Sequence, residues 1–176
     1  QPAISQPEKK DLALPYGYWN ADDSRSIADK MVKSMMADRW RTEYLNAKKN
    51  MRPILIVGII EDQGNEKIDI ALFKKDIEKS IIKSDLVRFV QSSNKIGLLI
   101  TKLEKDTLDN DLTIISNWAS QMGSDFVMIG NIHSSSELKR REKIIDYLIK
   151  LELVYCETKQ PVWIMEEKVS KRVKSE

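Results

Sequence analysis

The sequence predicts a single α+β domain: a mixed or antiparallel sheet of about four to five strands, helices packed on it, and a C-terminal antiparallel hairpin. Three observations carry this. The run Pro53 to Ile60 is apolar at both parities and closed by the polar stretch Glu61 to Asn65. Such a short, β-branched run reads as a central strand covered on both faces. Two stretches flanking it repeat apolar residues at helical spacing. Near the end, Tyr147, Ile149, Leu151, Leu153 and Tyr155 alternate with Lys150 and Glu152, the pattern of a strand with one wet face.

Composition sets the bounds. At 176 residues, 41% hydrophobic and 32% charged, the chain suits one core plus a tail. A net charge of +2 imposes no broad cationic field on nucleic acid or membrane. Cys156 is the only cysteine, so no intrachain disulfide can form. No stretch reaches the roughly 18 apolar residues of a transmembrane helix, and no signal-peptide core is visible. Because the chain opens on Gln1, any targeting segment is expected to have been removed.

Residues 1–15 carry Pro2, Pro7 and Pro15 among polar residues and read as a disordered linker. The aromatic cluster Tyr16, Tyr18 and Trp19 follows. Asp22, Asp23 or Ser24 is expected to cap the first helix, whose buried stripe is Ile27, Met31 and Met35 with Met36 beside it. Trp40, Tyr44 and Leu45 extend it a further turn or two, until Arg52-Pro53 stops it.

After the central strand, Asp69 caps a helix whose apolar positions Leu72, Phe73, Ile77, Ile81 and Ile82 recur at helical spacing. Ser84-Asp85 ends it, and Leu86 to Val90 is a short strand. Asn94 to Lys105 is helical but weakly patterned. Asp109 or Asn110 opens a helix with Leu112, Ile115, Trp118 and Met122 on one face, closed by Gly123. Asp125 to His133 is a strand in which Gly130 permits close approach. Ser134 to Arg141 is a polar loop. Ile144 to Tyr155 and Val162 to Val169 form the closing hairpin, and residues 171–176 are a frayed tail, leaving 16–170 as the globular domain.

Several motifs also fit this scaffold without chemistry. His133 beside Ser134, Ser135 and Ser136 suggests a nucleophile and base, yet no orienting relay or oxyanion element accompanies it. Glu61, Asp62 and Glu66 lack the spacing of a calcium loop. Cys156 reads as a small buried hydrophobe. The basic runs 139–143 and 168–174 read as solvated edges. No catalytic residue, cofactor site or metal site is expected. Trp19 is expected to plug the core and staple the first helix. Tyr16 and Tyr18, of opposite parity, stay available as exposed partner anchors.

Taken together, several segments resemble a known family. Gly17-x-Trp19-Asn20-x-x-Asp23-Ser24-Arg25, Arg52-Pro53 with Ile56-Val57-Gly58, Asn65-Glu66-x-Ile68-Asp69 and Asp85-x-Val87-Arg88 are similar to its first half. Gly123-x-Asp125, Gly130-x-Ile132, Tyr147 with Leu151-x-Leu153, Glu157-Thr158 and Val162-Trp163 are similar to its second half. The family is that of the LpoB-like penicillin-binding protein activators, and the likeness runs from Tyr16 to Val169. It implies a non-catalytic periplasmic domain, anchored to the outer membrane as a lipoprotein through an N-terminal lipid. The implied partner is a class A penicillin-binding protein, a bifunctional peptidoglycan synthase; no nucleic acid is expected, and the domain is expected to be a monomer. Tyr16, Tyr18 and Arg25 are the candidate partner-binding residues. The alternative is a periplasmic adaptor of the same fold serving another envelope protein.

Overall fold

The structure is a computed structural model that describes residues 15–92, 96–105 and 111–174. Its centre is β1 (Ile54–Asp62), in a five-stranded sheet of order β2-β1-β3-β4-β5. Strands β2 (Arg88–Val90) and β3 (Phe126–Lys139) run parallel to β1 on either side. The strands β4 (Glu142–Tyr155) and β5 (Gln160–Lys174) then continue antiparallel. The mixed sheet and closing hairpin are those the sequence predicts.

Both faces of β1 are covered, as its double-parity apolar run requires. On one side Leu55 and Val57 meet α1 (Ala21–Ala37), α2 (Arg39–Ala47) and α3 (Ile70–Ser84) through Met31, Met35, Trp40, Phe73 and Ile77. On the other, Ile56 and Val127 meet α4 (Ile96–Lys105) and α5 (Asp111–Gln121) through Leu99, Ile115 and Trp118. The methionines Met31, Met35 and Met36 are buried, so that stripe is core. Cys156 is buried as well. Gly130 is where β4 comes closest: a Cβ there would stand 2.5 Å from the Lys150 carbonyl oxygen.

Four expectations need correction. The first helix is capped by Asn20, not by Asp22, Asp23 or Ser24. Asn20 Oδ1 accepts from the N–H groups of Asp22 and Asp23, and Asp23 Oδ2 accepts from the Asn20 N–H, closing a capping box. Second, the extra turns after Met36 form a separate helix, because Asp38 is extended and Trp40 Nε1 donates to the Met35 carbonyl. Third, Ser134 to Lys139 is strand rather than loop. Each residue pairs with β4, and Ser134 Oγ accepts from the Glu66 N–H; polar side chains hid a ladder made by the backbone. Fourth, β5 passes the expected boundary at 170 and reaches Lys174, so the frayed tail is corrected as far as that residue. All of the linker expected over 1–15 except Pro15, the helix openings at Asn94 and at Asp109 or Asn110, and the last two residues lie outside the described residues.

Candidate partner-binding surface

Strands β3, β4 and β5 run 14, 14 and 15 residues against nine in β1, and the N-terminal segment returns to the end of β5. Arg172 N–H donates to the Pro15 carbonyl at 3.0 Å, and Gly17 N–H donates to the Arg172 carbonyl at 2.9 Å. Tyr16 thereby bridges β5 in parallel. Gly17 holds φ +94°, a conformation open to glycine at little cost, and this turns the chain towards α1.

The aromatic residues then divide by parity. Trp19 is half-buried, edge-on to Phe73 at 5.9 Å and tilted on Tyr147 at 5.6 Å. Its backbone N–H donates to the Tyr147 hydroxyl at 3.3 Å. Burial pushes that phenol's pKa up, which keeps the hydroxyl protonated. Tyr16 and Tyr18 face the other way, 52% and 50% exposed. The Tyr16 ring lies over the Arg172 guanidinium at 3.7 Å, with Lys174 Nζ at 5.9 Å. Its hydroxyl reaches Glu142 Oε1 at 3.5 Å. Lys143 Nζ stands 5.6 Å from the Tyr18 ring and is ion-paired with Glu66, whose carboxylate raises the ammonium's pKa. These cation–π contacts orient rings that remain accessible.

Most of the opening signature works structurally. Asp23 closes the capping box and meets Lys171 at 2.6 Å. Ser24 is fully buried and donates to Asp76 Oδ2 on α3 at 2.7 Å. Arg25 is exposed and pairs with Asp22 at 2.6 Å. The structure therefore gathers Tyr16 and Tyr18 around the end of the hairpin. Among the described residues, no hydrogen bond, ion pair or ring contact joins Arg25 to either. Sequence reasoning missed Glu142, Arg172 and Lys174 at this surface. No pattern in the sequence marks them, because only the β4–β5 register and the bridge at Tyr16 bring them to the tyrosines.

The other motifs are placed plainly. His133 is exposed on β3, opposite Leu148. Asp62 accepts from the N–H groups of Gly64 and Ile68 and so shapes its own loop. Burial pushes the Cys156 thiol up to about 11, leaving it protonated near neutrality. Among the described residues no His, Cys, Asp and Glu group is placed to hold a metal, and no helix is long and apolar enough to cross a membrane.

Comparison with known proteins gives the geometry a context. A family model described as the peptidoglycan-synthase activator LpoB matches residues 23–169. No curated protein sequence matches the chain. Among solved structures, the LpoB C-terminal domain from Escherichia coli is similar with TM-score 0.56 at 14% identity, covering 84% of this chain and 98% of that one. An NMR structure of E. coli LpoB is similar with TM-score 0.53 at 11% identity, covering 98% and 78%. The LpoB C-terminal domain from Salmonella enterica has TM-score 0.48 at 13% identity, covering 73% and 90%. At these identities the likeness to the structures is one of fold.

Proposed function

The chain belongs to the family of the peptidoglycan-synthase activator LpoB, and from that premise we propose that it binds and activates a class A penicillin-binding protein. In this reading it is a non-catalytic, monomeric domain in the periplasm, held to the outer membrane by an N-terminal lipid anchor. It raises synthase output by binding the active state more tightly than the inactive one, which is all that allosteric activation requires. The observation that carries the reading is the family match over residues 23–169, in a family of synthase activators rather than of catalysts.

Tyr16, Tyr18 and Arg25 are the proposed contact residues. What supports the tyrosines is their exposure in fixed positions on cations, since ordered aromatic rings dominate binding energies at protein interfaces. The experiment is a pull-down of the purified chain against envelope extract of its own organism, with bound proteins identified by mass spectrometry. Enrichment of a class A penicillin-binding protein supports the reading. Enrichment of a different envelope protein in its absence moves the protein to the adaptor alternative.

A further inference from the structure

Two basic runs about thirty residues apart in sequence become one surface through hairpin register. Along β4 and β5, Glu142 faces Lys174, Lys143 faces Val173 and Ile144 faces Arg172. The β3–β4 turn adds Lys139, Arg140 and Arg141 to the same end. We infer that this cationic tip, with Tyr16 and Tyr18 at its flank, is the docking surface for an acidic face of the synthase; the inference rests on the functional reading above.

Four observations point this way. Lys139 pairs with Glu137 at 3.8 Å and Lys143 with Glu66, but among the described residues Arg140, Arg141, Arg172 and Lys174 make no ion pair. Buried within this end of the sheet, Arg172 Nε has no hydrogen-bond partner, while the Tyr16 ring covers the guanidinium. Arg140 occupies the first position of a two-residue hairpin loop with φ 54°, where glycine is the low-cost residue. The arginine places a charge at the tip of the turn. Finally, Glu137 and Glu142 are interspersed among the cations. A mixed pattern beside ordered aromatics suits a partner with fixed charges, whereas a lipid headgroup layer is met best by unbroken positive charge.

The test measures binding of this chain to its organism's purified class A penicillin-binding protein across ionic strength. Wild-type affinity is expected to fall between about 0.01 M and 1 M salt, as the Debye length shrinks from about 30 to 3 Å. The double variant Arg140→Glu with Arg141→Glu is expected to bind about tenfold more weakly at low salt, chiefly through slower association, with the gap closing at high salt. Arg140→Gly separates charge from folding: it is expected to raise the urea midpoint yet weaken binding. Lys159→Gly is the control, because Lys159 has φ 59° in the β4–β5 turn at the other end of the hairpin. It should raise the midpoint and leave affinity unchanged. Charge variants that bind like wild type, or salt-independent binding, overturn the docking surface and leave the functional reading standing. Wild-type chain that binds no synthase brings down both. Arginine-dependent capture on phosphatidylglycerol-containing vesicles, with synthase binding unaltered in the variants, overturns the inference in favour of lipid.

Discussion

The ammonium of Lys171 lies 2.6 Å from Asp23 Oδ2, and the same oxygen accepts from the Asn20 backbone N–H at 2.9 Å. One carboxylate thus completes the cap of α1 and neutralises a lysine that is 1% exposed. It fixes the end of β5 to the first helix, and so places the strand on which Tyr16 rests. Asp23→Asn leaves that lysine buried without a counter-charge. The expected cost is about 3 kcal/mol, at the low end for a broken buried pair because Asp23 keeps some solvent access. Urea unfolding should show a lower midpoint with unchanged slope. Lys171→Met removes the buried charge itself and should cost distinctly less.

Trp19 and its two neighbouring tyrosines should separate stability from binding. Trp19→Ala removes contacts with Phe73 and Tyr147 and is expected to destabilise by about 3 kcal/mol. Tyr16→Ala and Tyr18→Ala should each lower the unfolding free energy by about 1 kcal/mol or less, as half-exposed sites do. Each is expected to cost about 2 kcal/mol in synthase binding. Calorimetric titration beside urea melts measures both.

The close approach at Gly130 is testable by one carbon atom. Gly130→Ala places a Cβ 2.5 Å from a backbone carbonyl oxygen and from Leu151 Cδ2, and a backbone oxygen cannot swing aside. Overpacking of this kind costs about 1–3 kcal/mol. Thermal melts should show a loss in that range with the fold retained.

Stability should fall on the alkaline side. Cys156 moves from an ordinary value of 9.0 to about 11 because it is buried, and Tyr44 rises from 10.0 to about 12, chiefly through burial. In both cases the unfolded chain loses its proton first. The stabilisation is therefore complete below about pH 9 and declines as pH rises through about 9 to 12. Cys156→Ala should flatten the first part of that decline, between about pH 9 and 11. Unfolding midpoints measured stepwise from pH 7 to 11 check the sign.

How much was readable in the sequence depended on what each residue type was doing. Leu55 to Val57 with Ile60, Phe73 with Ile77 and Ile81, and Tyr147, Ile149, Leu151 and Leu153 are apolar because they are buried, so their spacing announced strand, helix and strand. Ser134 to Lys139 is held by backbone pairing with β4, and its side chains carry no periodic signature; it read as loop. Lys171 failed the pattern for a different reason. A buried position filled by a lysine looks like solvent-facing strand end until its partner, 148 residues away, is known. At the candidate surface, Tyr16 and Tyr18 were legible from their parity against Trp19. Arg172, Lys174 and Glu142 were not, because only hairpin register brings them to the tyrosines.

Activation of a class A penicillin-binding protein, as proposed, is tested most directly by the rate of glycan polymerisation by the purified synthase of the same organism, with and without saturating chain. A faster rate is expected with wild type, and little acceleration by a Tyr16→Ala, Tyr18→Ala double variant that remains folded. An unchanged rate with every class A synthase of that organism, under conditions where the chain is folded, would contradict it.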